Sequence, residues 1–187
     1  MKDGKIAVDS DFETSEPGVY AIGDVAARTQ LAHVAAAQGT YVVEKIAGRP
    51  HSIKLEVVPN GMFVSLPIVP NCIYTDPEIA TVGITEEIAK KYGLKVRCGL
   101  FSMRDNGKSI ITGEEHGFIR LLFEAYSNTI VGAQMMCPRA TDMIGEIATA
   151  IANGLTAQEM SFAMRAQPTY NEGIGAAIED AMRQNPV

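Results

Sequence analysis

The chain has 187 residues, 47% of them hydrophobic and 20% charged, enough for one domain of ordinary size plus part of another around a real hydrophobic core. Its formal net charge of −6 leaves no basic face to neutralise phosphates, so nucleic acid is excluded as an expected partner. No apolar run approaches the roughly 20 residues that span a bilayer, and Met1 to Lys5 carry no apolar leader; a cytoplasmic protein with no membrane partner is expected.

In chain order, residues 1–48 read as strand, turn, strand, loop and helix. Ile6-Ala7-Val8 is a short strand, Asp9 to Glu13 a polar turn, and Gly18 to Ile22 an apolar run of strand length that ends at Gly23-Asp24. From about Gln30 to Ala47 the apolar residues Leu31, Val34, Ala35, Val42 and Ile46 recur at helical spacing, and Gly48-Arg49-Pro50 stops the helix. Residues 49–69 form a proline-rich connector in which Met62-Phe63-Val64 is a short strand or part of a hairpin.

Residues 70–187 have the pattern of a complete α+β unit. Ile73 to Thr75 and Ile79 to Val82 read as strands, and Thr85 to Tyr92 as a short helix with Thr85 as its N-cap. Strands follow at about 96–103, 117–123 and 129–136, the last two forming a hairpin across Tyr126-Ser127-Asn128, with Ile119, Leu121 and Phe123 alternating. Three helices end the chain. The first starts near Thr141, carries Met143, Ile144, Ile147, Ala148 and Ile151 on one stripe, and stops at Asn153-Gly154; Thr156 opens the second and Thr169 the third. Strands followed by helices predict an antiparallel sheet covered by helices on one face.

Metal and disulphide chemistry find little support. Cys72, Cys98 and Cys137 are odd in number and lie far apart without a C-x-x-C, so buried free thiols in a reducing compartment are expected. His33, His51 and His116 share no ligand spacing with one another or with a cysteine, and no metal site is expected.

The segment Thr14-Ser15-Glu16-Pro17-Gly18-Val19-Tyr20-Ala21-Ile22-Gly23-Asp24-Val25 carries the most specific signal. An apolar strand delivers glycine and a carboxylate at its C-terminal edge, where ligands of α/β sheets bind, although Gly-Asp after a strand is by itself only a turn. The whole run resembles the second FAD-contacting motif of the pyridine nucleotide-disulphide oxidoreductases, of the dihydrolipoamide dehydrogenase type. Leu31-Ala32-His33 follows at the spacing that family uses, and Asn71 to Glu87 resembles the start of its interface domain, with Gly117-Phe118-Ile119-Arg120 and Ile130-Val131-Gly132-Ala133 following in the same order. The resemblance implies that 1–48 is the C-terminal remnant of an FAD-binding α/β domain and 70–187 an interface domain forming a homodimer. It also implies that Asp24 holds the ribityl chain, with Gly23 beside it in the cofactor site, and that the helix start at Leu31, Ala32 and His33 faces the flavin edge. A helix N-terminus, with free N–H groups and about half a positive charge, suits a flavin edge that becomes electron-rich on reduction. The His33 side chain alone reads as packing or capping.

Arg165-Ala166-Gln167-Pro168-Thr169-Tyr170-Asn171-Glu172 is similar to the family's His-Pro-Thr-x-x-Glu segment, in which the histidine is the acid/base and the glutamate orients it. Here Gln167 stands at the histidine position, and an amide cannot carry a proton between states. Thr169-x-x-Glu172 is also a capping box for the last helix, which accounts for Glu172 without catalysis. The chain contains neither a G-x-G-x-x-G loop nor a C-x-x-x-x-C, so no catalytic residue is expected in it. FAD and NAD(P) are expected for a parent flavoenzyme, with FAD not retained by this chain alone, and a 2-oxo acid dehydrogenase or glycine cleavage complex is a partner expected through that parent. Two other readings stay open: a non-catalytic dimerisation module, and a fragment of a soluble transhydrogenase or mercuric reductase, which also lack the histidine.

Overall fold

Asp9 organises the first turn of the chain in the computed structural model, which describes residues 4–26, 29–57 and 66–184. Its Oδ1 accepts the N–H groups of Asp11 and Glu13, both at 2.9 Å, and so places Phe12 at a φ of 65°. The chain then doubles back: Glu13 bridges Tyr20 antiparallel, Thr14 N–H reaches Val19 O at 2.8 Å, and Ala21 N–H reaches Phe12 O at 3.0 Å. Ile6 N–H donates to Val25 O at 2.8 Å. The expected strands at Ile6 to Val8 and Gly18 to Ile22 are therefore corrected. Ile6 to Val8 lies outside any strand, Gly18 is a turn residue at a φ of 79°, and the second segment pairs through the isolated bridge Glu13–Tyr20 and not through a ladder: a short apolar run favours extension, but a ladder also needs a neighbouring strand.

Helix α1, Ala32–Ile46, buries Val34, Gln38 and Val42. It stops at Gly48, as expected, where a φ of 63° lets the N–H reach back to Lys45 O at 2.9 Å. Its polar side is tied to the opening turn, with Asp11 accepting from Lys45 Nζ at 2.5 Å and from the Tyr41 hydroxyl at 2.9 Å. The Lys45 ammonium, then Tyr41, hold the Asp11 carboxyl below its ordinary range. The His51 ring stacks on Tyr41 at 3.7 Å between centroids.

These elements belong to one compact unit, Met1–Leu55, and the rest of the chain to a second, Glu56–Val187. In the second, β1 (Glu56–Val57) pairs antiparallel with β2 (Leu66–Pro67), and the strand expected at Met62 to Val64 lies outside the described residues. Strands β3 (Asn71–Ile73), β4 (Ile79–Gly83), β5 (Val96–Ser102), β6 (Phe118–Glu124) and β7 (Ile130–Met136) form one antiparallel sheet in the order β3-β4-β7-β6-β5. The β6–β7 turn is built on Glu124. Its carboxylate accepts from the N–H groups of Tyr126 (3.0 Å) and Ser127 (2.6 Å) and from the Ser127 hydroxyl (2.7 Å), while Asn128 takes the left-handed φ of 57°. Burial opposes the charged form of Glu124, but the donors from Ser127 and Tyr126 prevail and hold its carboxyl below the ordinary range.

Alternation sorts the sheet into two faces. Ile119, Leu121, Phe123, Ala133 and Met135 point to one side, where α4 (Ala140–Ala152) brings Ile144, Ile147 and Ile151, and α6 (Glu172–Arg183) brings Ile174, Ala177 and Ile178. Each of these isoleucines is buried, an arrangement worth about 1.5–3 kcal/mol per side chain. Helix α6 lies so close to β5 that a Cβ on Gly99 would stand 1.9 Å from Ala177 O. The opposite face is not bare, which departs from the expected one-sided cover: α2 (Glu86–Lys91) closes one end of it with Ala89 against Leu122 and Val131. Thr85 caps α2 as expected, accepting from Ile88 N–H at 3.3 Å.

The short helix after Asn106 and α6 depart from expectation, while the helix opened by Thr156 starts as expected. α3 (Gly107–Thr112) went unread in the sequence; Asn106 caps it by accepting from Ser109 N–H at 2.9 Å, and Gly113 ends it in the left-handed region. α5 (Ala157–Ser161) opens on a complete capping box between Thr156 and Glu159. The box expected at the head of α6 is only half made. Glu172 accepts from Thr169 N–H at 2.8 Å, but the Thr169 hydroxyl turns away and donates to Ala166 O at 2.7 Å. The helix therefore starts at Glu172, with Asn171 as its N-cap residue. The cysteines also need correction. Cys137 is buried, but Cys72 and Cys98 are only half-buried, because both sit on strands near the sheet's edges. Among the described residues no helix is long and apolar enough to cross a membrane.

Candidate functional site

Two groups of the singled-out residues lie in different units. In the first unit, Gly23, Asp24 and Val25 form one turn of 3-10 helix that packs on α1. Gly23 is buried with a φ of 65°, and a Cβ there would meet the Ala35 Cβ at 3.0 Å, so only glycine lets the turn sit this close to the helix. Its N–H donates to the buried Gln38 side-chain carbonyl at 2.8 Å, which locks the turn onto the second turn of α1. Asp24 is left exposed beside it.

Leu31 is the N-cap residue of α1, in extended conformation and with no capping side-chain hydrogen bond; its carbonyl receives Val34 N–H at 3.0 Å and Ala35 N–H at 3.1 Å. Ala32 and His33 follow, both exposed. The structure thus places a glycine-bound turn with a carboxylate against the opening turns of an uncapped helix. That set suits a ligand with hydroxyls for the carboxylate and an electron-rich edge for the helix start. Gly23 itself is taken up by the packing on α1, so the exposed Asp24 carboxylate and the backbone at Ala32 and His33 are the groups this turn and helix start offer to such a ligand.

In the second unit, Gln167 and Glu172 both line one open hollow of about 630 Å³, with Glu172 accepting from Thr169 N–H at 2.8 Å. Gln167 is exposed, and the Gln167–Pro168 peptide is cis. The loop around it is pinned at several points. The buried Asn106 amide donates to Thr169 O at 3.0 Å, and the Tyr170 hydroxyl bonds Thr112 Oγ1 at 2.9 Å and donates to Glu114. Burial, then the Glu114 carboxylate, raises the Tyr170 phenol above its ordinary value, and the same bond holds Glu114 below the carboxylate range. Glu146 of α4 accepts from Arg165 Nη2 at 2.6 Å and from Asn171 Nδ2 at 3.0 Å.

Sequence reading missed all of these pinning residues. Asn106 was legible as a cap, being followed by a helix-length segment and Gly113. Glu146 carries no such signal, because its partners lie 19 and 25 residues away.

Residues 69–178 match the family model of the pyridine nucleotide-disulphide oxidoreductase dimerisation domain, and residues 1–39 match the model of the pyridine nucleotide-disulphide oxidoreductases. The dihydrolipoyl dehydrogenase of Bacillus subtilis is 37% identical over 177 residues, covering 94% of this chain and 35% of its own length. That of Halobacterium salinarum is 33% identical over 180 residues, covering 96% and 36%. Among solved structures, LpdA from Mycobacterium tuberculosis superposes with a TM-score of 0.82 at 27% identity, over 96% of this chain and 36% of that one. The HOCl-induced flavoprotein disulfide reductase RclA from Escherichia coli shares the fold, with a TM-score of 0.81 at 16% identity over 98% of this chain and 39% of that one. This chain spans a little over a third of the length of the curated relatives it matches, 35–36% for these two.

Proposed function

This chain belongs to the pyridine nucleotide-disulphide oxidoreductase family, and on that premise we propose that it is the C-terminal part of an FAD-dependent NAD(P)H:disulphide oxidoreductase of the dihydrolipoamide dehydrogenase type. In this reading it supplies one wall of the flavin site and the dimer interface and is not catalytic alone. The observation that carries it is the packing of the Gly23–Val25 turn on α1, which sets Asp24 beside an uncapped helix start. Asp24 accepts hydrogen bonds from hydroxyls of the ribityl chain, and Gly23, by letting the turn sit tight on α1, holds Asp24 beside the helix start. The backbone at Ala32 and His33 presents the positive end of α1 to the pyrimidine edge. When bound, FAD supplies the two-electron exchange between nicotinamide and disulphide.

Residues 70–187 pair two copies of the chain about a two-fold axis, the commonest closed assembly, and carry the exposed Gln167 toward the partner's flavin. At that position an amide binds and orients but moves no proton, so dithiol chemistry that depends on a histidine is weakened by about 10²–10⁴. The same Gln167 favours a second reading, a flavoenzyme of the soluble transhydrogenase or mercuric reductase type, whose chemistry makes no use of that histidine. Three free thiols fit work in the reducing cytoplasm.

The protein purified at the length its gene encodes is expected to carry stoichiometric FAD, bleached by NADH or NADPH, while the 187-residue chain alone gives no turnover. Full-length protein that is folded and flavin-free after expression in flavin-replete cells would overturn the proposal in favour of a dimerisation module.

A further inference from the structure

Glu146 stands on the middle of α4, yet both of its carboxylate oxygens are engaged outside that helix. Oε1 takes Arg165 Nη2 at 2.6 Å, two residues before Gln167, and Oε2 takes Asn171 Nδ2 at 3.0 Å, four residues after it. One carboxylate thus bridges the two stems of the loop 165–171. Arg165 is held firmly. Only 10% of its side chain is exposed, and its Nη1 also donates to Ala163 O at 3.2 Å. Asn171 is the N-cap residue of α6, but its side chain makes no cap; it is turned to Glu146 instead, and its Oδ1 is buried without a hydrogen-bond partner. With its backbone already helical (φ −65°, ψ −21°), Asn171 is not in the extended conformation from which an N-cap side chain closes its own helix, and its amide is engaged by the remote carboxylate.

We infer that Glu146 is a positioning residue for Gln167: by tying Arg165 and Asn171 to one carboxylate on α4, it fixes where the exposed 167 side chain is presented. The other pins, Asn106 on Thr169 and Tyr170 on Thr112, hold the residues after Pro168. Within the loop the Thr169 hydroxyl also reaches Ala166 O at 2.7 Å, but Glu146 is a group from outside the loop that holds both of its stems. The bond rests on hydrogen-bond geometry as well as charge. A glutamine at 146 still accepts from Arg165 through its carbonyl, and its amide can donate to the unpartnered Asn171 Oδ1 once that side chain turns over. Alanine offers neither. Asp, one methylene shorter, reaches one stem at a time.

The inference deepens the flavoenzyme reading, but its first test does not depend on it. In the 187-residue chain, amide hydrogen exchange of Glu146→Ala is expected to speed at residues 163–171, with strands β6 and β7 unchanged. Glu146→Gln is expected to restore protection. Unchanged exchange at 163–171 in Glu146→Ala, or equal acceleration in Glu146→Ala and Glu146→Gln, overturns the inference. So does a uniform rise that includes β6 and β7, which would mark Glu146 as a general stabiliser. The second test uses the flavin-carrying, full-length protein with NADH or NADPH and a disulphide. There Glu146→Ala lowers kcat by about tenfold or more with KM little changed, the pattern of a reacting geometry displaced by an ångström or so, and Glu146→Gln recovers most of it. A rise in KM at constant kcat refutes positioning. Absence of flavin or turnover in the parent protein itself would reject the flavoenzyme reading and leave the exchange result to judge Glu146.

Discussion

Replacing Gly99 by alanine tests how α6 is seated on the sheet. The added Cβ would lie 1.9 Å from Ala177 O and 2.8 Å from both the Ala181 Cβ and the Ala181 nitrogen, all parts of one helix with no flexible side chain to swing away. Ordinary contact begins near 3.4 Å, so the helix must retreat by roughly 1.5 Å, which puts the cost at the upper end of overpacking, about 3 kcal/mol or more. The retreat also stretches the bond from Leu100 N–H to Asp180 Oδ2, now 2.9 Å. Against this, removing glycine's freedom in the unfolded chain returns about 0.4–1 kcal/mol. The net loss is about 2–3 kcal/mol, a fall in Tm on the order of 10 °C for a unit of this size. Circular dichroism melts of the two proteins measure it, with Gly107→Ala as a control, since a Cβ at Gly107 meets nothing within 4 Å. A fall of less than about 2 °C, or an equal fall in the control, would refute the argument that the helix backbone rests directly on the β5 backbone.

Glu124→Gln should cost about 2 kcal/mol at pH 7, because three donors lose a charged acceptor. The folded Glu124 titrates below its ordinary 4.5, so its contribution is complete above pH 4.5 and disappears as the pH falls through the folded value; urea melts of wild type and variant should converge in acid. Burial first, then Glu86 beside Cys98 and Glu78 near Cys137, pushes both thiols up to about 12. At pH 8 iodoacetamide should therefore alkylate them on the order of 10³-fold more slowly in the native protein than in denaturant, as read by mass spectrometry, and rapid labelling of the half-buried Cys98 would contradict this. In the full-length protein, Asp24→Ala is expected to weaken FAD by about 10–100-fold, the worth of a charge-assisted hydrogen bond, and an unchanged dissociation constant by fluorescence titration would remove Asp24 from the flavin site. There, too, Gln167→His is expected to raise dithiol turnover by on the order of 10²-fold; an unchanged kcat with FAD bound would mean that the site serves other chemistry.

Periodicity carried most of the second unit. Ile119, Leu121 and Phe123 alternate because the sheet buries one face under α4 and α6, and those strands and the Met143–Ile151 stripe were legible for that reason. Short elements were not. α3 has six residues, too few for a stripe, and only its Asn106 cap and Gly113 stop announced it. At Thr169 and Glu172 the capping pattern was present, yet the hydroxyl found Ala166 O instead, a local competitor that no spacing rule foresees. Asp24 and the α1 start were readable only through resemblance, since a Gly-Asp turn is common. The Glu146 bridge depends on side chains joined across two connections and was invisible to any window along the chain.

The strand order has a consequence for how the second unit comes into being. β7, the last strand made, lies at the centre of the sheet, with β4 on one side and β6 on the other. While the chain emerges from the ribosome, β3–β4 and β5–β6 can each form as separate hairpin-like pairs, but nothing joins them until Met136 is out. Until then β4 offers an open edge to any neighbouring nascent chain, and it does so throughout the synthesis of the segment from Ile84 to Met136. A translational pause just after residue 125 would lengthen that window, whereas one placed late enough that Met136 has cleared the ribosome would fall when the sheet can already close.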